Sequence, residues 1–363
     1  MFLFGHLCGM AVLNGYIQVR SGLSLPQFGL VLATGAVAAL AVNLYLRNSG
    51  RRLSGGLGLL LLAVAVWLPV LAQGLVPLLI AYSLQGAASR IALAGLYRAI
   101  TSIQRDSEPL SLSFNSTLIL EACAGFGLGE SFLVNAWLTD ATSQATYAAS
   151  LALMLGLPIG LWLRGRLPAW KSTGVTYIAA TQSTRTPISL AFTAYCAEVF
   201  TITQATAWSG VLATSMQLGS RQISPLMAAG MLSGVFWIVV GTVRFSAGCA
   251  GRLNLARVVL AGNVLCIGAV LGAMTQPDNA VSMLICYALL GAGIACFVPF
   301  ALQIISAHAR AGELADWMAL LGPIMGVAVH LITGNFAPYR EYFALAALSL
   351  TLANGLYTAL RPK

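Results

Sequence analysis

Charge is scarce in this sequence. Its 363 residues hold 19 Lys and Arg, 10 Asp and Glu and 3 His, so 8% are charged, against roughly a quarter in an ordinary soluble domain. A soluble chain of this length must cover its folded surface with polar groups, and these are too few. Disorder is excluded as well, because it requires low hydrophobicity and high charge, whereas 58% of these residues are hydrophobic and the mean hydropathy is +0.85. Metal ligands are equally thin. No pair among His6, His308 and His330 has ligand spacing, the seven cysteines form no CxxC pair, and neither a metal nor a cofactor is expected. Gly125, Gly127 and Gly129 superficially resemble a phosphate loop, but no strand precedes them and no Gly-Lys-Ser/Thr follows. The net charge of +9 does not point to nucleic acid, since the basic residues sit in short gaps between apolar runs.

What the sequence has instead is long apolar runs. A helix needs about 20 apolar residues to cross hydrocarbon, and such runs fall at 2–19, 26–46, 53–72, 75–98, 110–137, 146–164, 188–212, 225–243, 256–274, 280–305, 316–334 and 342–360. In lipid every backbone polar group must be bonded within its own segment, so each run is expected to be a helix. Stretches such as 57–66 are continuously apolar and do not alternate like barrel strands. The expected fold class is therefore an all-α membrane protein with twelve transmembrane helices.

Alternating the gaps between two sides sorts the positive charge. One side receives Arg47, Arg51, Arg52, Arg98, Arg105, Arg164, Arg166, Lys171, Arg185, Arg244, Arg252, Arg257, Arg310, Arg361 and Lys363; the other receives Arg20, Arg221 and Arg340. That asymmetry places both termini in the cytoplasm, with the chain in the inner membrane. The longest polar gap follows the sixth run and suits a linker at 165–187, dividing the chain into bundles of 1–164 and 188–363.

The two halves echo each other. Residues 24–52 and 223–252 both begin with a proline (Pro26, Pro225) and end in a basic, glycine-containing gap. YSLQGAASRIA from Tyr82 aligns with YALLGAGIACF from Tyr287, and AGFGLG at Ala124 aligns weakly with LGPIMG at Leu321. A repeat of six spans in one orientation is expected of two bundles related by an axis along the membrane normal.

On these features the chain resembles the major facilitator superfamily over its whole length. In NLYLRNSGRR, Gly50, Arg51 and Arg52 match the end of that family's signature between spans two and three, while Arg47 stands where an acidic residue is usual. GTVRFSAGCAGR keeps Gly241, Arg244 and Gly248 of the second-half counterpart. Gln85 and Gly86 match the span-four signature, with Tyr82 at its arginine position. Span five lacks the proline of the antiporter signature. The resemblance implies two pseudo-symmetric six-helix bundles and a central cavity lined by spans one, four, seven and ten. It also implies a gating role for the cytoplasmic loop residues Gly50, Arg51, Arg52 and Arg244. Asn14, Tyr16, Gln85 and Tyr287 fall on the presumed cavity helices.

Charges within spans are costly and need a reason. Arg90 and Glu121 sit at similar depth in spans four and five and are expected to pair when the site is empty. Glu198 lies near the middle of span seven, where a carboxylate can carry a proton. Glu130 is expected to snorkel outward, His6 and His330 to pack as lone histidines, and Asp316 to cap span eleven. Together these readings favour a non-enzymatic secondary transporter: a monomer moving a small organic solute across the bilayer with protons. Efflux of a drug-like compound, metabolite or siderophore comes first, and uptake of a small organic anion second. A non-transporting sensor of the same fold and a polytopic enzyme are the rivals. The enzyme would need a cluster of Asp, Glu or His at one interface, which the sequence lacks.

Overall fold

The computed structural model describes residues 1–19, 22–49, 55–72, 74–105, 111–137, 188–209, 217–218, 221–249, 255–306 and 311–360. The expected sixth span, the linker and the loop residues Gly50, Arg51 and Arg52 lie outside them. The helices are α1 (Phe2–Val19), α2 (Leu25–Ser49), α3 (Gly55–Ala65), α4 (Leu68–Leu71), α5 (Leu75–Arg105), α6 (Ser111–Trp137), α7 (Ile188–Thr203), α8 (Pro225–Cys249), α9 (Leu255–Thr275), α10 (Ala280–Ile294), α11 (Phe297–Ser306), α12 (Ala311–Asn335) and α13 (Arg340–Leu360). Every apolar run that falls on described residues is thus a helix or a pair of helices. Six of them are long and apolar enough to cross a bilayer. The strands among the described residues are a two-residue antiparallel pair, β1 (Gln217–Leu218) and β2 (Arg221–Gln222).

Three prolines shape the helical runs. Proline has no N–H, so the carbonyl four residues earlier loses its helical partner. Pro69 frees the carbonyl of Ala65 where α3 gives way to α4, and Pro299 frees that of Ala295 where α10 gives way to α11. Pro323, inside α12, frees that of Ala319. An unbonded carbonyl in hydrocarbon is unfavourable. Each is met by a side chain from another helix. Gln85 Nε2 on α5 donates to Ala65 O at 3.0 Å, Arg244 Nε on α8 to Ala295 O at 2.9 Å, and Asn43 Nδ2 on α2 to Ala319 O at 2.8 Å. Helix breaks thereby become specific tertiary links.

Within the first half, α6 packs on α1 while α2 and α3 pack on α5. Within the second, α10 packs on α8 and α9 while α7 meets α11, α12 and α13. Two extensive pairs cross between halves, α2 with α12 and α6 with α8, and α1 also touches α8. In a six-span repeat, span two maps onto span eight and span five onto span eleven. A two-fold axis of the kind that repeat implies would exchange these two crossing pairs. Glycine permits the approach. A Cβ on Gly125 would lie 3.3 Å from the Gly241 Cα, and one on Gly29 2.6 Å from the His330 carbonyl oxygen. Gly86 and Gly291, aligned in the repeat, face the backbones of α2 and α8 respectively. The outward faces carry exposed Val64, Leu71, Val76, Ile80, Val264 and Leu350, as hydrocarbon solvent requires.

Candidate functional site: a buried arginine between two carboxylates

The site grows out of the break between α10 and α11. That break leaves two backbone groups to be satisfied, the Ala295 carbonyl and the Val298 N–H. Arg244 takes the first through Nε, and the Glu198 carboxylate accepts from the second. Arg244 and Glu198 then bond each other through Nη2 and Oε1. The other terminal nitrogen of Arg244 lies 3.5 Å from Glu121 Oε2 on α6. Glu198 is 1% exposed, Arg244 6% and Glu121 8%. One guanidinium from the second half therefore holds a carboxylate from each half. Planar, multi-donor geometry suits arginine to this task better than lysine.

Arg244 corrects the sequence reading. Grouped there with the cytoplasmic gap, it lies instead inside α8, which continues to Cys249. Its basic side chain had counted as loop charge, although its partners were already present within spans five and seven. Arg90 bonds Asn43 Oδ1 through Nε, and Asn43 in turn reaches Ala319 of α12. Sequence reasoning passed over Asn43, Ala295 and Ala319. The available signal was a proline four residues after each alanine. Tyr195 of α7 lies within electrostatic range of Arg90, Glu121 and Glu198, which puts the three in-span charges named from sequence in the same part of the molecule. Counted with Arg244, the four charges sum to zero when ionised.

The other candidates are spread out. Gln85 is buried and committed to the Ala65 carbonyl. Tyr287 lines a cavity within the second half. Asn14 and Tyr16 lie on α1, with side chains outside the described residues, as is that of Asp316. His6 and Glu130, read separately, are paired with 2.5 Å between Nδ1 and Oε2. Helices α1 and α6 run side by side, Gly5 against Ala124, His6 against Gly127 and Gly9 against Leu128, which sets Glu130 one turn beyond His6 and within its reach. His330 accepts from Trp208 Nε1 at 3.2 Å. Trp208 also stacks edge-on against Phe28 of α2, with centroids 5.3 Å apart.

Compared with solved structures, the chain is similar to the nucleoside transporter NupG. The likeness covers 99% of this chain and 96% of that one, at a TM-score of 0.65 and 15% sequence identity. The two chains share a fold, the one that the sequence's resemblance to the major facilitator superfamily implied. No protein-family model matches the sequence, and no curated protein does. Six helices long and apolar enough to cross a bilayer, in a fold shared with a transporter, support a multi-pass membrane protein. Within that fold, the pairs α2–α12 and α6–α8 are where Asn43 and Arg244 make their links between halves.

Proposed function

We propose that this chain is a secondary active transporter that moves a small organic solute across the cytoplasmic membrane by alternating access. Two bundles, 1–164 and 188–363, rock about the contact between them, with both termini in the cytoplasm. The reading rests on one observation: Arg244 binds Glu198 of its own half and Glu121 of the other. An ion pair this dry is held by mutual charge and is costly to leave half-made. Protonating Glu121 weakens the link between the halves, and protonating Glu198 loosens Arg244 from α10 and α11. Either event leaves the four-charge cluster with a net positive charge, which draws in an anionic or electron-rich group of the solute. Arg90, released from Asn43, is placed to receive that group. Proton binding and solute binding are thereby made to depend on each other.

Export of a drug-like compound, metabolite or siderophore is the first direction. Fold similarity to a nucleoside transporter favours a second, the uptake of a nucleoside-sized solute.

Metabolite comparison of cells with and without the protein identifies the solute. Purified protein in liposomes then tests coupling. Adding that solute should drive proton movement, reported by an internal pH dye. Glu121→Gln, Glu198→Gln and Arg90→Ala should each reduce solute-driven proton movement at least tenfold. Wild-type transport indifferent to the proton gradient would overturn the coupling, and full transport by all three variants would overturn the site.

A further inference from the structure

A cavity of about 110 Å³ lies inside the second half, away from the Arg244 bridge. Its walls include Thr201 and Gln204 at the end of α7, Val270 on α9, Cys286 and Tyr287 on α10, and Glu341 on α13. One water needs roughly 10–15 Å³ of such space, so several waters fit, or one organic molecule of a few heavy atoms.

Two polar atoms of residues that line it have no hydrogen-bond partner among the described residues. Thr201 Oγ1 and Gln204 Oε1 are both buried and unbonded, and Thr201 is 2% exposed. The amide nitrogen of Gln204 is already committed to Thr333 Oγ1, which fixes the direction of its oxygen. A buried acceptor and a buried hydroxyl left unmet are each unfavourable, and native structures rarely carry two on residues only three apart. Gln204 also opens the π-turn Gln204–Trp208, a helix distortion that recurs at functional sites.

We propose that this cavity is a second binding site, within one bundle, for a small uncharged solute bearing a hydroxyl group. That hydroxyl donates to Gln204 Oε1 and accepts from Thr201 Oγ1, satisfying both atoms with one group. The body of the solute is apolar, because Leu232, Val270, Met283 and Leu290 supply much of the wall. It is uncharged, because the ions on the wall among the described residues, Arg340 and Glu341, neutralise each other at 2.6 Å. Occupancy stiffens the π-turn, whose last residue, Trp208, touches Phe28 of the other half.

Cys286 on the cavity wall provides the readout. The purified full chain is treated with ethyl methanethiosulfonate, and modification of Cys286 is followed by peptide mass mapping. Butan-1-ol is compared with its isomer 1-methoxypropane, which has the same atoms but no O–H. Butan-1-ol should slow Cys286 modification on the order of tenfold, and the ether should leave it nearly unchanged. Gln204→Leu and Thr201→Val should erase the difference between isomers, whereas Thr201→Ser should keep it. Equal protection by both isomers, or protection by neither because the cavity holds water alone, overturns the proposal. The wild-type comparison and Thr201→Ser decide it even if the other variants fold poorly.

Discussion

Arg244 makes three contacts that no other side chain can replace together: hydrogen bonds to Ala295 O and Glu198, and an ion pair at 3.5 Å with Glu121. Replacing it with alanine leaves Glu198 buried without its counter-charge and Ala295 O without a donor. Losing one partner of a buried pair costs about 3–5 kcal/mol, so Arg244→Ala should lower the heat-denaturation midpoint in detergent more than any other single change at the site. Arg244→Lys should recover only part of the loss, since an ammonium cannot span all three acceptors. Glu198→Gln keeps an acceptor for the Val298 N–H and should cost about 1–3 kcal/mol. If Arg244→Ala melts like the wild type, the bridge contributes nothing to holding the halves together. The sequence made Glu198 and Glu121 visible because an acid in an apolar run stands out. It hid Arg244, because a basic residue five positions before the end of a helix looks the same as one in the following loop.

At the scale of the element, proline and its partner act as a unit. Pro69 opens the run between α3 and α4, and Gln85 closes the polar gap it creates. Gln85→Leu alone should destabilise by about 1–3 kcal/mol, since it strands the Ala65 carbonyl. With Pro69→Ala, residue 69 regains an N–H for that carbonyl, and the cost of Gln85→Leu should shrink by about 1 kcal/mol. A double-mutant cycle on denaturation midpoints measures this coupling. Strict additivity would mean that Gln85 acts on something else. The helical runs were readable because length and apolarity alone force helix in lipid. The partners of the freed carbonyls were not, because Ala65–Gln85 lie 20 residues apart, Ala295–Arg244 51 and Ala319–Asn43 276. Nothing local specifies such pairings.

Across the whole molecule, the crossing pairs α2–α12 and α6–α8 carry the polar links between halves, and glycine sets their spacing. Gly241 faces Phe126 and the Ala122 carbonyl, with a Cβ there 3.0 Å from the Phe126 ring. Gly241→Leu should therefore overpack the α6–α8 contact, cost about 1–3 kcal/mol and depress transport. An exposed site such as Val264 on α9, 60% exposed toward lipid, should accept leucine with no change. Orientation is a property at this scale too. A fluorescent protein fused after Lys363 should glow and a phosphatase active only outside the cytoplasm should stay silent, as the positive-charge asymmetry requires. The reverse pattern would invert the topology.

Solvation is what the sequence decided unaided. Too little charge and too much hydrocarbon left only membrane-spanning helices as a stable answer, and the basic gaps and internal repeat already suggested two related bundles. Register between helices was decided by the tertiary structure, which seated His6 beside Glu130, Asn43 beside Ala319 and Arg244 between Glu121 and Glu198. The physical reason is that hydrophobicity is proportional to area and indifferent to direction, whereas a hydrogen bond or ion pair exists only where two particular atoms meet. Composition can therefore report the first, and only folded neighbours can report the second.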